Sequence, residues 1–187
     1  PGSSNLYSVS ESNPLELYID YIKIYRENAS TPYFELDFEE TDLDLASYNA
    51  KEHSIINDPI NGEVFRIMDN RDNVRQTYIG WKLNQVQNIL PTDELEIRLK
   101  KGARSLGDRH NFGAVFFGYN ESSFYDSYKK VTTFWNIDTD YLTTRVSLTN
   151  LSNPINVYYL RIDFNHEKSL VTPERCINAN NCEYSMI

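Results

Sequence analysis

The chain has 187 residues and a formal net charge of −9, long enough for one domain with a real core and acidic enough to repel phosphate backbones and anionic bilayers, so nucleic acid is not an expected partner. No apolar run approaches the roughly 20 residues that a membrane helix needs, so membrane insertion is not expected either. Aromatics are 13% of the chain, with 14 Tyr and 9 Phe, and β-branched residues are frequent while Gly and Ala are scarce, a composition that favours strands over helices.

In chain order, Pro1-Gly2-Ser3-Ser4 reads as an expression remnant, and residues 1–14 are expected to form a flexible leader ahead of a single domain spanning 15–187. Leu15 to Tyr25 alternates as a strand, with Leu17, Ile19 and Tyr21 on one face and Tyr18, Ile22 and Ile24 on the other. Standing at the N-terminus, it either finishes a preceding domain or adds an edge strand to this one, and the second is expected because a half-covered strand left behind would expose Leu17 and Ile19. The stretch Pro32 to Met68 reads as strand, acidic turn, polar linker, the turn Asn57-Asp58-Pro59-Ile60-Asn61-Gly62, and strand again. Pro59 fixes its own φ and Gly62 can take a positive one, so a reversal joins Ile55-Ile56 to Val64 to Met68.

Gln76 to Leu83 alternates with Thr77, Ile79, Trp81 and Leu83 on one face and Tyr78, Gly80 and Lys82 on the other; the company of Trp81 favours the core for it, with a sugar platform as the alternative. Val86 to Leu90 is ambiguous. Glu94 to Lys101 points Leu95, Ile97 and Leu99 inward and Glu96, Arg98 and Lys100 outward, while Phe112 to Tyr119 is apolar on both faces, as in a strand covered on both sides. Val131 to Ile137, Thr143 to Leu148 and Asn156 to Phe164 complete the set, and the tail from about residue 165 loses all period. About nine or ten strands and no helix predict an all-β, antiparallel two-sheet sandwich of jelly-roll type.

Cys176 and Cys182 are spaced for a small disulfide loop, with two free thiols as the alternative, and no histidine nearby suggests zinc. Three sequons, at Asn28, Asn120 and Asn150, are about what chance supplies in a chain rich in Asn, Ser and Thr. Catalysis lacks its usual signatures. His53, His110 and His166 have no ligand spacing, no Gly-x-Ser-x-Gly occurs, and Glu94 and Glu96 read as one wet strand face alternating with Arg98 and Lys100. The chain is therefore not expected to be an enzyme.

The phrases Asp37-Phe38-Glu39-Glu40, Asn57-Asp58-Pro59 and Gly62 to Ile67 resemble the opening of extracellular β-jelly-roll carbohydrate-binding modules. Leu160-Arg161-Ile162-Asp163 resembles their closing strand, and so, oddly for an N-terminus, does Tyr18-Ile19-Asp20. The resemblance implies a secreted or surface location, a glycan or polysaccharide partner, neighbouring domains in the same polypeptide, and a structural calcium ion. Asp37, Glu39 and Asp163 match the ion's ligands, with Asp20 a rival for the last. A sugar site needs rings to stack on pyranose faces beside polar groups, for which Tyr78, Lys82, Tyr119, Tyr125, Tyr128, Trp135 and Asn136 are the candidates. A structural or adhesive sandwich of a surface assembly is the alternative, and a jelly-roll polysaccharide-cleaving enzyme the third reading.

Overall fold

The computed structural model describes residues 15–39, 44–69, 77–102, 112–122, 128–135 and 139–164. The chain is all-β, with two antiparallel sheets and no helix among these residues. Eleven strands form in them: β1 (Leu15–Tyr25), β2 (Phe34–Leu36), β3 (Asp44–Tyr48), β4 (Glu52–Asp58), β5 (Gly62–Asp69), β6 (Thr77–Ile89), β7 (Glu94–Lys101), β8 (Phe112–Gly118), β9 (Tyr128–Trp135), β10 (Leu142–Ser147) and β11 (Ile155–Phe164). The first sheet has the order β10-β7-β1-β5-β4, with β2 added to β1; the second runs β3-β6-β11-β8-β9. Their inner faces meet in one apolar core that includes Ile22, Phe65, Ile79, Trp81, Ile97, Phe117 and Leu160, the layered arrangement of a sandwich.

Two expectations for the first strand are corrected. β1 is not an edge: it lies between β5 and β7, paired along both sides. Nor does it alternate throughout, because the register against β7 shifts between Ile19 and Tyr21. One extra residue there turns Ile22 and Ile24 to the same inward side as Leu17 and Ile19, so all four are sealed in the core. The bulge explains why strict period two divided them between faces. The polar linker is corrected as well. Asp44-Leu45-Ala46-Ser47-Tyr48 forms β3, which crosses to the second sheet and pairs with β6.

In β7 and the first half of β6 the alternation holds. Leu95, Ile97 and Leu99 are buried; Thr77, Ile79 and Trp81 are buried, and Leu83 packs against the core. Phe112–Gly118 is an interior strand between β11 and β9. At the β4–β5 reversal the Asp58 carboxylate accepts the N–H groups of Ile60 (3.0 Å) and Asn61 (3.2 Å), and Gly62 takes a φ of 79°. A β-carbon at Gly62 would lie 2.6 Å from Glu39 Oε1, the end of an exposed side chain that can move aside, so it is φ rather than space that calls for glycine here.

The outer face of the first sheet carries a lattice of paired charges over tyrosines. Asp58 binds Lys100 at 3.0 Å, and Asp20 binds Arg98 at 2.7 Å. The Lys100 ammonium also sits 4.3 Å from the Tyr141 ring centre. Burial opposes ionisation of Asp58, yet Lys100 and the hydrogen bonds from Ile60 and Asn61 outweigh it and hold its carboxyl well below the usual range. His53, stacked on Phe65 with ring centres 6.0 Å apart, is held below the ordinary imidazole value by burial.

Both folded values lie below their unfolded ones. Their stabilisation is therefore complete above about 6.5 for His53 and about 3.9 for Asp58, and is lost as pH falls below each. Asp20, raised by burial, works in the opposite sense. Urea midpoints should fall from pH 7 to pH 5 and again towards pH 2.5, and Asp58→Asn should flatten the second step. An unchanged acid slope in that variant would remove Asp58 from the account.

Candidate functional site

The largest interruption of the ladder is on β6. Its register with β11 jumps from Lys82↔Tyr159 to Gln87↔Val157, so Leu83, Asn84, Gln85 and Val86 stand opposite Tyr158 alone. An arch of this kind re-aims side chains, and bulges of this sort gather beside functional sites. The sequence over the arch suits it: Asn84-Gln85-Val86-Gln87-Asn88 has no apolar period to hold it flat against a core.

Facing the arch is β2, which pairs with β1 at Ile22 to Ile24, beyond the stretch where β5 pairs. Between them lies a cleft of about 350 Å³ lined by Phe34 to Phe38 on one side, Asp44 of β3, and Trp81 to Gln85 with Gln87 on the other. Phe34, Leu36, Phe38, Trp81 and Leu83 supply its apolar part, Glu35, Asp37 and Asp44 its carboxylates, and Lys82 its one cation among the described residues.

Phe38 closes the inner end. Its φ is 67°, a left-handed conformation rarely adopted by a bulky side chain. The ring is buried, with centres 5.3 Å from Phe65 and 5.7 Å from Trp81. That aromatic cluster holds the strained residue in place and turns the neighbouring carboxylates to opposite tasks. Asp37 lines the cleft, whereas Glu39 reaches back to accept the Glu63 N–H at 3.0 Å. Trp81 Nε1 is buried with no hydrogen-bond partner among the described residues, a polar atom left over in the wall of the cleft.

Of the residues singled out for sugar contact, Lys82 lines this cleft. Tyr78 is on the outer face of the second sheet, its ring covered by the Arg161 guanidinium at 4.1 Å. Tyr119 is 45% exposed, on the loop after β8. Tyr125 and Asn136 lie outside the described residues, as do the side chains of Tyr128 and Trp135. The proposed calcium ligands are dispersed. Asp37 is in the cleft, Glu39 is at the β4–β5 turn, Asp163 is bound to Arg161 on the second sheet, and Asp20 is on the outer face of the first. Among the described residues no three His, Cys, Asp or Glu side chains group as a metal site. Cys176 and Cys182 lie outside the described residues. Glu94 and Glu96 flank Arg145, at 2.6 and 3.9 Å, and Tyr25 donates to Glu96 at 3.2 Å.

Sequence reasoning missed Phe34, Asp44, Asn84, Gln85 and Gln87. The available signal was the run of amides breaking the alternation in mid-strand. Comparison with protein-family models, with curated proteins and with solved structures found no match to this chain.

Proposed function

We propose that this chain is a non-catalytic glycan-binding domain, and that the ligand occupies the cleft between β2 and the β6 arch. One observation carries the reading: a cleft of sugar size whose apolar patch, including the half-buried ring of Phe34, is bordered by carboxylates and side-chain amides. Pyranoses present apolar faces and hydroxyls that both donate and accept. Amides supply both functions, carboxylates accept, and a ring stacks at low entropic cost. The cleft is preferred over Tyr78 as the platform because that ring, on the second sheet's outer face, is already capped by a cation.

The strand order supports a jelly roll as the scaffold. From β5 to β11 successive strands change sheet at every step except the β8–β9 hairpin, giving the rows β5-β1-β7-β10 and β6-β11-β8-β9. In this reading the N-terminal β1 takes the slot of a closing strand, which accounts for the closing-strand wording of Tyr18-Ile19-Asp20. The test is affinity electrophoresis against a panel of soluble polysaccharides. Retention should weaken about tenfold in Phe34→Ala and in an Asn84→Ala, Gln85→Ala pair, a loss of about 1.4 kcal/mol, and should be unchanged in Tyr119→Ala. Failure of every polysaccharide to retard the protein would sink the reading. Loss in Tyr119→Ala with the cleft variants unaffected would move the site to the exposed tyrosines.

A further inference from the structure

Resting on the glycan reading, we infer that the cleft selects by charge and takes glycans free of carboxylate and sulfate groups. Among the described residues three acidic side chains line it, Glu35, Asp37 and Asp44, against the single cation Lys82 and no arginine. Sites for sugar carboxylates or sulfates rely on cations, above all the arginine fork that grips two oxygens at once.

Lys82 does not meet that need. It stands directly across the ladder from Asp44, and cross-strand neighbours of opposite charge compensate one another. Glu35 is held by Lys23 at 2.6 Å, so its carboxylate is balanced from outside the cleft. Asp37 keeps the excess. Among the described residues its Oδ1 accepts only the Glu39 N–H, at 3.3 Å, and the residue is exposed. A uronate or sulfate entering the cleft would meet this carboxylate with only Lys82, itself across the ladder from Asp44, to offset it among the described lining residues. A neutral hydroxyl would donate to it. The amides of Asn84, Gln85 and Gln87 fit the same partner, offering paired donor and acceptor atoms and no charge.

The experiment compares neutral polymers (a mannan, a xylan and a mixed-linkage glucan) with polygalacturonate, alginate and a sulfated galactan at 20 mM and 500 mM salt. The wild-type chain should bind at least one neutral polymer at least tenfold more tightly than any acidic one at low salt. The Asp37→Asn, Asp44→Asn variant should narrow that gap several-fold. A control removing two exposed carboxylates elsewhere, Glu52→Gln with Glu121→Gln, should leave it unchanged, since it makes the same change in net charge away from the cleft. High salt should narrow the gap in all three proteins.

Acidic polymers binding as tightly as neutral ones would overturn the charge selection while leaving glycan binding intact. Equal narrowing in the control would also overturn it, by assigning the preference to the whole chain's charge. No retention by any polymer would overturn the glycan reading itself, a result distinct from both. Circular dichroism of each variant verifies the fold before binding is read.

Discussion

Asp93→Ala should be among the most destabilising single substitutions in the chain, costing about 3–5 kcal/mol. Asp93 is fully buried at the turn between β6 and β7. Its Oδ2 accepts from Arg26 at 2.7 Å, from the Tyr33 hydroxyl at 2.8 Å and from the Leu90 N–H at 2.8 Å. Its backbone carbonyl accepts the Leu148 N–H at 2.9 Å, tying in the strand end after β10. The β1–β2 connection, the β6–β7 turn and the end of β10 therefore meet on one residue.

The ion pair supplies the smaller share, because the Arg26 side chain is 42% exposed and solvent screens it. The larger share comes from a part-buried N–H and a part-buried phenol left without an acceptor. Asp93→Asn should cost about half as much, since a carbonyl oxygen can still serve at the Oδ2 position while the charge is lost. The amide would then point its donors where Oδ1 now has no partner among the described residues.

Tyr33 gives an independent readout. Burial first, and then the bond to Asp93, push its phenol well above the ordinary range. Stability from that proton is complete below about pH 10 and is lost as pH rises through the folded value. Tyr141 also ionises late, through burial and Asp58, so of the late-ionising tyrosines one, Tyr33, should shift downward in Asp93→Ala while Tyr141 stays. Urea melts checked by fluorescence would contradict the assignment if the variant lost less than about 1 kcal/mol.

How far the fold was legible in the sequence can be judged from particular elements. Glu94–Lys101 was legible because one face is wet and the other dry, so polarity itself reports the pleat. Phe112–Gly118 was legible as an interior strand because both its faces are apolar. β1 was legible as a strand but not in its position. Alternation carries no information on which strands flank it, and the bulge after Ile19 silently reverses the parity that a period-two reading assumes.

β3 was missed for a physical reason as well. Asp44-Leu45-Ala46-Ser47-Tyr48 is a short edge strand with a register shift of its own between Leu45 and Ser47, so little of it is specified by burial. The candidate site was the least legible part. Its residues come from three strands brought together by topology, and the amides of the β6 arch look from sequence like a poor strand rather than a shaped wall. Among the aromatic candidates, Tyr78 shows why exposure could not be read from the sequence: it alternates outward as expected, yet Arg161 of β11 covers it, because exposure depends on neighbours in space.

Phe38 joins the core to the cleft, and its replacements should rank in an unusual order. Phe38→Ala removes a buried ring packed on Phe65 and Trp81 and should cost about 3–5 kcal/mol from lost burial and the cavity left behind. In a chain of this size that is a fall in melting temperature of roughly 10 °C. The backbone sets the ranking between alanine and glycine. Alanine keeps the β-carbon that makes φ of 67° unfavourable, whereas glycine accepts that conformation without penalty. Phe38→Gly should therefore equal or exceed Phe38→Ala in stability, by up to about 1 kcal/mol, although glycine is ordinarily the worse substitute in a β-protein. Alanine more stable than glycine by about 0.5 kcal/mol or more, on the order of an ordinary strand preference, would mean that the left-handed conformation is not what the ring holds in place. If the proposed glycan reading holds, both variants should also weaken retention, because the cavity opens beneath the cleft and loosens the turn that places Asp37 in its wall.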